Sequence, residues 1–202
     1  MKKIFALFAA LILLPLAANA AQYKEGTHYQ TVKKTATATP EVMEFFSFYC
    51  PHCASFEPLM ETLKANLSKD VKVKKNHVNF LGKAMGPELT NAYAAAEILQ
   101  VEDKVTEIIF DKIHTQRKAI NGEKDIIDIF VEAGVSAQEA KNALVSFPVK
   151  GLASQMQRDT ETFQISGVPT IIVNGKYKVN TGSVKSTEEF IALVDFLTKK
   201  ND

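Results

Sequence analysis

The sequence predicts an α/β domain interrupted by a block of helices, and three patterns carry that expectation. A strand–helix–strand unit occupies residues 41–80, helix follows helix from about residue 83 to 160, and the tail returns to a strand hairpin and one last helix. At 202 residues, 46% of them hydrophobic, the chain is long enough for one large domain carrying an insertion.

A segment of different texture precedes the domain. "MKK" brings positive charge, "IFALFAALILLPLAA" is apolar, and "ANA" (Ala18–Ala20) sets small residues at −3 and −1 of a cleavage point. That is the layout of a secretory signal peptide, residues 1–20, cleaved before Ala21. A membrane anchor is the alternative, but the apolar run is short for a span of about 20 residues, and Pro15 falls late in it. Losing Lys2 and Lys3 takes Lys+Arg from 24 to 22 against 23 Asp+Glu, a mature net charge of −1. Nucleic-acid binding normally shows a basic patch, and "KVKK" (72–75) reads as one face of a strand instead. No nucleic-acid partner is expected. With no second apolar span, the mature chain is expected to be soluble.

In the opening unit, "EVMEFFSF" (41–48) is a nearly continuous apolar run, as in a strand buried on both faces. Phe56, Leu59, Met60, Leu63 and Leu67 then fall at i, i+3, i+4, i+7 and i+11, the stripe of an amphipathic helix. Pro58 sits inside it and predicts a kink. "VKVKKNHVNF" (71–80) reads as a second strand with Val71 and Val73 on one face. Together they make a βαβ unit.

The helical block begins with "ELTNAYAAAEILQ", rich in strong helix formers. Val101, Val105, Ile108, Ile109 and Ile113 form a second stripe. Ile126, Ile127, Ile129, Phe130 and Ala133 form a third, which Gly134 ends. Ser136 and Glu139 have capping-box spacing ahead of another helix; Asn121-Gly122 and Phe147-Pro148 read as joints. In the tail, "GVPTIIVNGKYKVN" (167–180) reads as two strands around Asn174-Gly175, a strong hairpin signal. Ser186 and Glu189 repeat the capping-box spacing, and Phe190, Ile191, Val194 and Leu197 make the final stripe. The expected division is 21–82 and 158–202 as two parts of one α/β domain, with 83–157 as the helical insertion.

The chain owns two cysteines, Cys50 and Cys53, in "FFSFYCPHCASFEPLM" (45–60). A bridge between them closes a loop too short to remove much chain entropy, so as a staple it contributes almost nothing. Their placement suits chemistry. With Cys50 ending the strand and capping the helix, Pro51 occupies N1, where its missing N–H has no partner to lose. A Cys50 thiolate can then accept from the free N–H of His52 or Cys53, at the positive end of the helix dipole. A protonated His52 adds to this. All three effects favour the thiolate, the reactive species, and favouring it makes the Cys50–Cys53 disulfide the stronger oxidant. Cys50 is expected to be the sulfur that substrates attack, and Cys53 to face the first helical turn. Zinc needs about four ligands, and no second cysteine pair exists. Covalent haem attachment wants histidine after the second cysteine, where this chain has Ala54.

"FFSFYCPHC", "HVNF" (77–80), "GVPT" (167–170) and "VNGKY" (173–177) resemble the DsbA family of thiol–disulfide oxidoreductases, within the thioredoxin superfamily. The likeness covers essentially the whole mature chain, and C-P-H-C is the family's active-site tetrapeptide. The family is itself the standing example of a reactive cysteine in an oxidising couple, so its agreement with the directional expectation is not independent. The resemblance implies a thioredoxin fold with an inserted all-helical domain, donating disulfides to newly exported, cysteine-containing proteins in the periplasm. It implies Cys50 as nucleophile, Cys53 as buried partner, and reoxidation by a quinone-linked inner-membrane partner resembling DsbB. It also implies no cofactor beyond the disulfide itself. A monomer is expected.

Pro169 matches the superfamily's cis-proline, and X–Pro is the bond type that tolerates cis. The backbone of Val168 is then expected to pair with an extended substrate segment. Glu44 stands where thioredoxin relatives place a buried acid, six residues before Cys50. Lys75 shares the face of Val71 and Val73 by parity, which directs it toward Glu44. A buried carboxylate beneath the disulfide can relay protons for Cys53; as strand-end charges, both residues would instead reach solvent. Glu57, one turn after Cys53, is either near the site or exposed. His28, His77 and His114 suggest no partner. One departure is the absence of tryptophan, common in the helical domain of relatives; the matching stretches read "NAYAAAE", with Tyr93, and "NALVSF", with Leu144. A reductase or isomerase of the same fold is the alternative function. Isomerases of the superfamily usually add a dimerisation domain, for which residues 21–40 leave no room. An exported peptide-binding module is a further alternative.

Overall fold

A computed structural model describes residues 23–200; the expected signal peptide and its cleavage point lie outside them. Five strands form one mixed sheet in the order β1-β5-β4-β2-β3. β2 (Glu41–Phe46) runs parallel to β3 (Lys72–His77) and antiparallel to β4 (Thr170–Val173). β5 (Tyr177–Val179) pairs antiparallel with β4 and with β1 (Tyr29–Thr31). α1 (Pro51–Asn66) connects β2 to β3, as a parallel pair requires. α2 (Met85–Ile98), α3 (Glu102–Phe110), α4 (Glu123–Glu132), α5 (Ala137–Leu144) and α6 (Phe147–Thr162) all lie between β3 and β4 in the chain, and α7 (Thr187–Lys199) closes it. The order βαβ, helices, ββα is the one the sequence patterns predict.

β2 reads as an apolar run because both its faces are covered. Val42 packs with Leu63 of α1 and Leu193, Val194 and Leu197 of α7. Phe45 faces the other way, against Ile165 and Ile172. At the end of β2 and just beyond it, Phe46 and Phe48 enter the core of the helical block with Leu89, Tyr93, Phe110 and Phe130. Each such side chain, fully buried, contributes about 1.5–3 kcal/mol. The sheet and the helices are thus joined at the segment that leads to Cys50.

The local signals act as expected. Ser136 and Ser186 accept from the backbone of Glu139 and Glu189, each at 3.2 Å. Asn174 and Gly175 both take left-handed φ values, 52° and 59°, which suits these two residue types in a tight hairpin. The Asn174 side chain also accepts from Glu41 N (3.1 Å) and donates to the carbonyls of Leu197 and Thr198, tying the hairpin to β2 and α7.

Three features differ from the sequence patterns. β1 is short and polar, with no alternation to reveal it; it exists because β5 offers an edge. β3 stops at His77, and residues after Val78 turn away toward α2. α3 does not end at Phe110 but widens into a π-helical turn, Asp111–Thr115. Residue 157, the expected boundary of the helical insertion, lies within α6, which runs to Thr162.

Candidate functional site

Cys50 is the N-cap of α1. Its backbone is extended (φ −95°, ψ 110°), and Pro51 begins the helix. Of the two donors the sequence offered, Cys53 N–H is the one that reaches Cys50 Sγ, at 3.2 Å. His52 occupies the next helical position with its ring exposed. A tight turn presents the cap: Cys50 N–H donates to Ser47 O at 3.0 Å, and Tyr49 N–H donates to Ser47 Oγ at 3.2 Å. Across the site, the Val168–Pro169 peptide is cis, and the Cys50 thiol donates to Val168 O at 3.4 Å. The Val168 carbonyl is therefore occupied by the thiol when both cysteines are free, as they are here.

The two sulfurs live in different surroundings. Cys50 keeps 6% of its surface exposed and Cys53 none. Burial pushes the Cys53 thiol well above the ordinary thiol range, and its hydrogen bond with Cys50 adds to this; the Ser47 backbone works the other way.

Glu44 and Lys75 are register partners on the parallel strands β2 and β3, so their side chains fall on one face. Glu44 is completely buried, with Lys75 Nζ at 3.4 Å from Oε2. Neither carboxyl oxygen has a hydrogen-bond partner among the described residues. Burial raises its pKa to about 7, against the pull of Lys75, and Glu57 pushes the same way as burial. Lys75 also pairs with Glu57 and lies over the Phe46 ring at 4.5 Å. Glu57 is thus drawn to the buried pair and is not simply exposed. The negative charge of Glu44 also helps keep the Cys53 proton in place.

Histidines that suggested no partner in the sequence flank the same segment. His77 is fully buried; its Nε2 accepts from Phe48 N–H at 3.2 Å, and its Nδ1 faces Thr90 Oγ1 at 2.8 Å. Burial, with Lys75 adding to it, lowers its pKa to about 3, so it is neutral. His114, from the π-helical turn, places Nε2 at 2.8 Å from Phe48 O. His28 lies apart, accepting from Lys24 N–H at 3.0 Å.

Gly82 supports the residue next to Cys50. It sits at φ +83°, and a Cβ added there would meet the Tyr49 ring at 2.2 Å. Gly82→Ala is expected to destabilise the fold by about 2–3 kcal/mol, from the left-handed backbone and the displaced ring together. Urea unfolding followed by circular dichroism measures this; a change within about 0.5 kcal/mol, the usual range for a surface substitution, would mean the ring is not held there.

A family model described as a DSBA-like thioredoxin domain matches residues 41–192. The chain is 39% identical, over 209 aligned residues, to the thiol:disulfide interchange protein DsbA of Escherichia coli K12, spanning 99% of this chain and 100% of that one. Among solved structures, a DsbA variant of Proteus mirabilis with a non-covalently bound peptide, PWATCDS, superposes with a TM-score of 0.80 at 38% identity, covering 89% of this chain and 100% of that one. DsbA of Klebsiella pneumoniae gives a TM-score of 0.81 at 30% identity, over 88% and 98% of the two chains.

Proposed function

The chain belongs to the family of DSBA-like thioredoxin domains and is a thiol:disulfide oxidoreductase; on that footing we propose that Cys50 and Cys53 are its redox pair and that it donates their disulfide to other proteins. The observation that carries this reading is the asymmetry of the two sulfurs. Cys50 caps a helix and accepts Cys53 N–H at 3.2 Å, while Cys53 is fully buried.

In the forward reaction a substrate thiolate attacks Cys50 Sγ. The Cys50–Cys53 bond breaks, its electron pair leaves on Cys53, and Cys53 takes up a proton, as its burial favours. A second substrate thiolate then attacks the substrate sulfur of the mixed disulfide and releases Cys50 as a thiolate. The substrate loses two electrons and two protons in all; the protein gains both electrons, Cys53 holds one proton, and the other goes to solvent or to the Cys50 thiolate. The leaving Cys50 thiolate is met by a preformed donor and the helix terminus, which favours release. Pro51 sets that terminus and His52 flanks it. Glu44, with a pKa of about 7, exchanges a proton near neutral pH and serves the buried Cys53, with Lys75 and Glu57 setting its charge.

Substrate enters as an extended segment beside Val168 and Pro169. The Proteus mirabilis relative, solved with a cysteine-containing peptide, supports recognition of such segments. The substrates we infer are newly exported, cysteine-containing proteins in the periplasm, reached after cleavage before Ala21. Reoxidation falls to an inner-membrane, quinone-linked partner resembling DsbB, and the protein acts as a monomer with no cofactor beyond its disulfide.

The test is the equilibrium redox potential of residues 21–202 in glutathione buffers, read by alkylation and mass. A value about 100 mV or more above thioredoxin's roughly −270 mV is expected of a disulfide donor. A value close to thioredoxin's overturns the direction and makes the protein a reductase.

A further inference from the structure

Phe48 is clamped at both ends of its backbone by histidines from different parts of the fold. Its N–H donates to Nε2 of His77, which ends β3, and its carbonyl lies 2.8 Å from Nε2 of His114, in the π-helical turn. The partners determine where the protons sit. Because His77 Nε2 accepts, its proton is on Nδ1, which donates to Thr90 Oγ1, and Thr90 in turn donates to Gly86 O at 3.1 Å. A carbonyl only accepts, so His114 carries its proton on Nε2. One continuous chain of hydrogen bonds therefore runs from α2, through β3 and the Phe48 backbone, to the π-helical turn.

What this chain holds is the turn that carries both sulfurs. Phe48 is the second residue of the Ser47–Cys50 turn, closed by Cys50 N–H on Ser47 O. The Ser47 backbone favours the Cys53 thiolate, against the effect of burial. Cys50, the other end of the turn, offers its sulfur to Cys53 N–H and to Val168 O. The Phe48 ring is buried among Phe46, His77, Tyr93 and Phe110, so the residue can neither swing out nor slide along the strand. Of the two histidines, His77 is fully buried at the end of β3, whereas His114 is half-buried and supplied by the helices. Helical turns of the π type recur at functional sites.

We propose that His114 is a positioning residue for the redox couple: from the helical block it fixes the Ser47–Cys50 turn and thereby stabilises the reduced dithiol. The inference rests on Cys50 and Cys53 being the redox pair. The contacts of Cys50 with Val168 O and Cys53 N–H are seen with the Cys50–Cys53 bond open, and the S–H donated to Val168 O exists only in that reduced state. Loosening the turn weakens them and leaves the disulfide form favoured, making the protein a weaker oxidant.

The relevant equilibrium is protein disulfide plus two glutathione, giving protein dithiol plus glutathione disulfide. For His114→Leu, its constant is expected to fall about three- to tenfold, the range of one hydrogen bond lost. His114→Gln keeps an N–H donor of similar reach and is expected to restore the constant to within about twofold of the parent. An unchanged constant in the leucine variant overturns the proposal, even if its melting temperature falls, because that is a structural role alone. So does a glutamine variant that falls as far as leucine. Nitrogen-15 spectra of the reduced parent protein give a check that needs no variant to fold. His114 is expected as the Nε2–H tautomer and His77 as Nδ1–H; a His114 found as Nδ1–H overturns the proposal. A parent protein that neither equilibrates with glutathione nor oxidises a dithiol peptide instead removes the redox pair itself. A parent that does both, beside variants that match it, removes only His114.

Discussion

Cys50→Ser is expected to abolish oxidation of a dithiol peptide while leaving thermal stability within about 0.5 kcal/mol of the parent. The two halves of this expectation have separate physical origins. A hydroxyl cannot enter a disulfide, so no electrons can be taken from the substrate whatever the geometry. As a helix cap, however, serine serves at least as well as cysteine. Its oxygen can take the Cys53 N–H that Cys50 Sγ now accepts at 3.2 Å, and Pro51 still begins the helix correctly. Cys50→Ala separates the roles, because it loses both the sulfur and the cap and is expected to cost about 1 kcal/mol of stability in addition. Peptide oxidation is read by alkylation and mass, and stability by circular dichroism, since the chain has no tryptophan. Turnover surviving in the serine variant would remove Cys50 as nucleophile. A serine variant as unstable as the alanine variant would remove the capping role.

How much of this site was legible in the sequence depended on how local each interaction is. The cap, the proline at the start of the helix and the turn at Asn174-Gly175 are set by residues a few positions apart, and they stand where their spacing places them. Glu44 and Lys75 needed one long-range step, the pairing of β2 with β3. Strand parity supplied it once both strands were recognised, because the side chain at every second position falls on one face. Glu57 was ambiguous because only the docking of α1 on that face decides whether it meets Lys75. His77, Thr90 and His114 left no signal at all. Their partner is the backbone of Phe48, which any residue supplies, and His114 is aimed by a π-helical turn that no apolar stripe announces. Strand β1 was hidden for a related reason: what holds it is the free edge of β5 and not its own pattern.

Two buried titrating groups of opposite sense set how the fold responds to acid. His77 has a pKa near 3 in the folded protein, below its ordinary 6.5. The unfolded chain therefore binds a proton the native state refuses, and stability falls as pH drops from 6.5 to 3, by about 5 kcal/mol at 1.36 kcal/mol per unit. Glu44 works the other way. Its folded value is near 7 against an ordinary 4.5, so the native state holds the extra proton, and stability rises by about 3 kcal/mol as pH drops from 7 to 4.5. Between pH 6.5 and 4.5 the two slopes oppose each other, and their joint contribution is nearly flat. Below 4.5 only His77 of these two still titrates, and its share of the loss is about 2 kcal/mol by pH 3. Glu44→Gln removes one side of this balance. The variant is expected to be about 3 kcal/mol more stable than the parent at pH 8, where the parent keeps a charged carboxylate out of water, and about equal to it at pH 4. Its stability should slope downward from pH 6.5 where the parent's is level, because the titration of His77 is no longer masked. Urea unfolding at a series of pH values, followed by circular dichroism, reads both effects. Equal stability of the two proteins at pH 8 would show that the Glu44 carboxylate is not penalised by its burial. A variant still level between pH 6.5 and 4.5 would show that His77 does not titrate as its buried position requires.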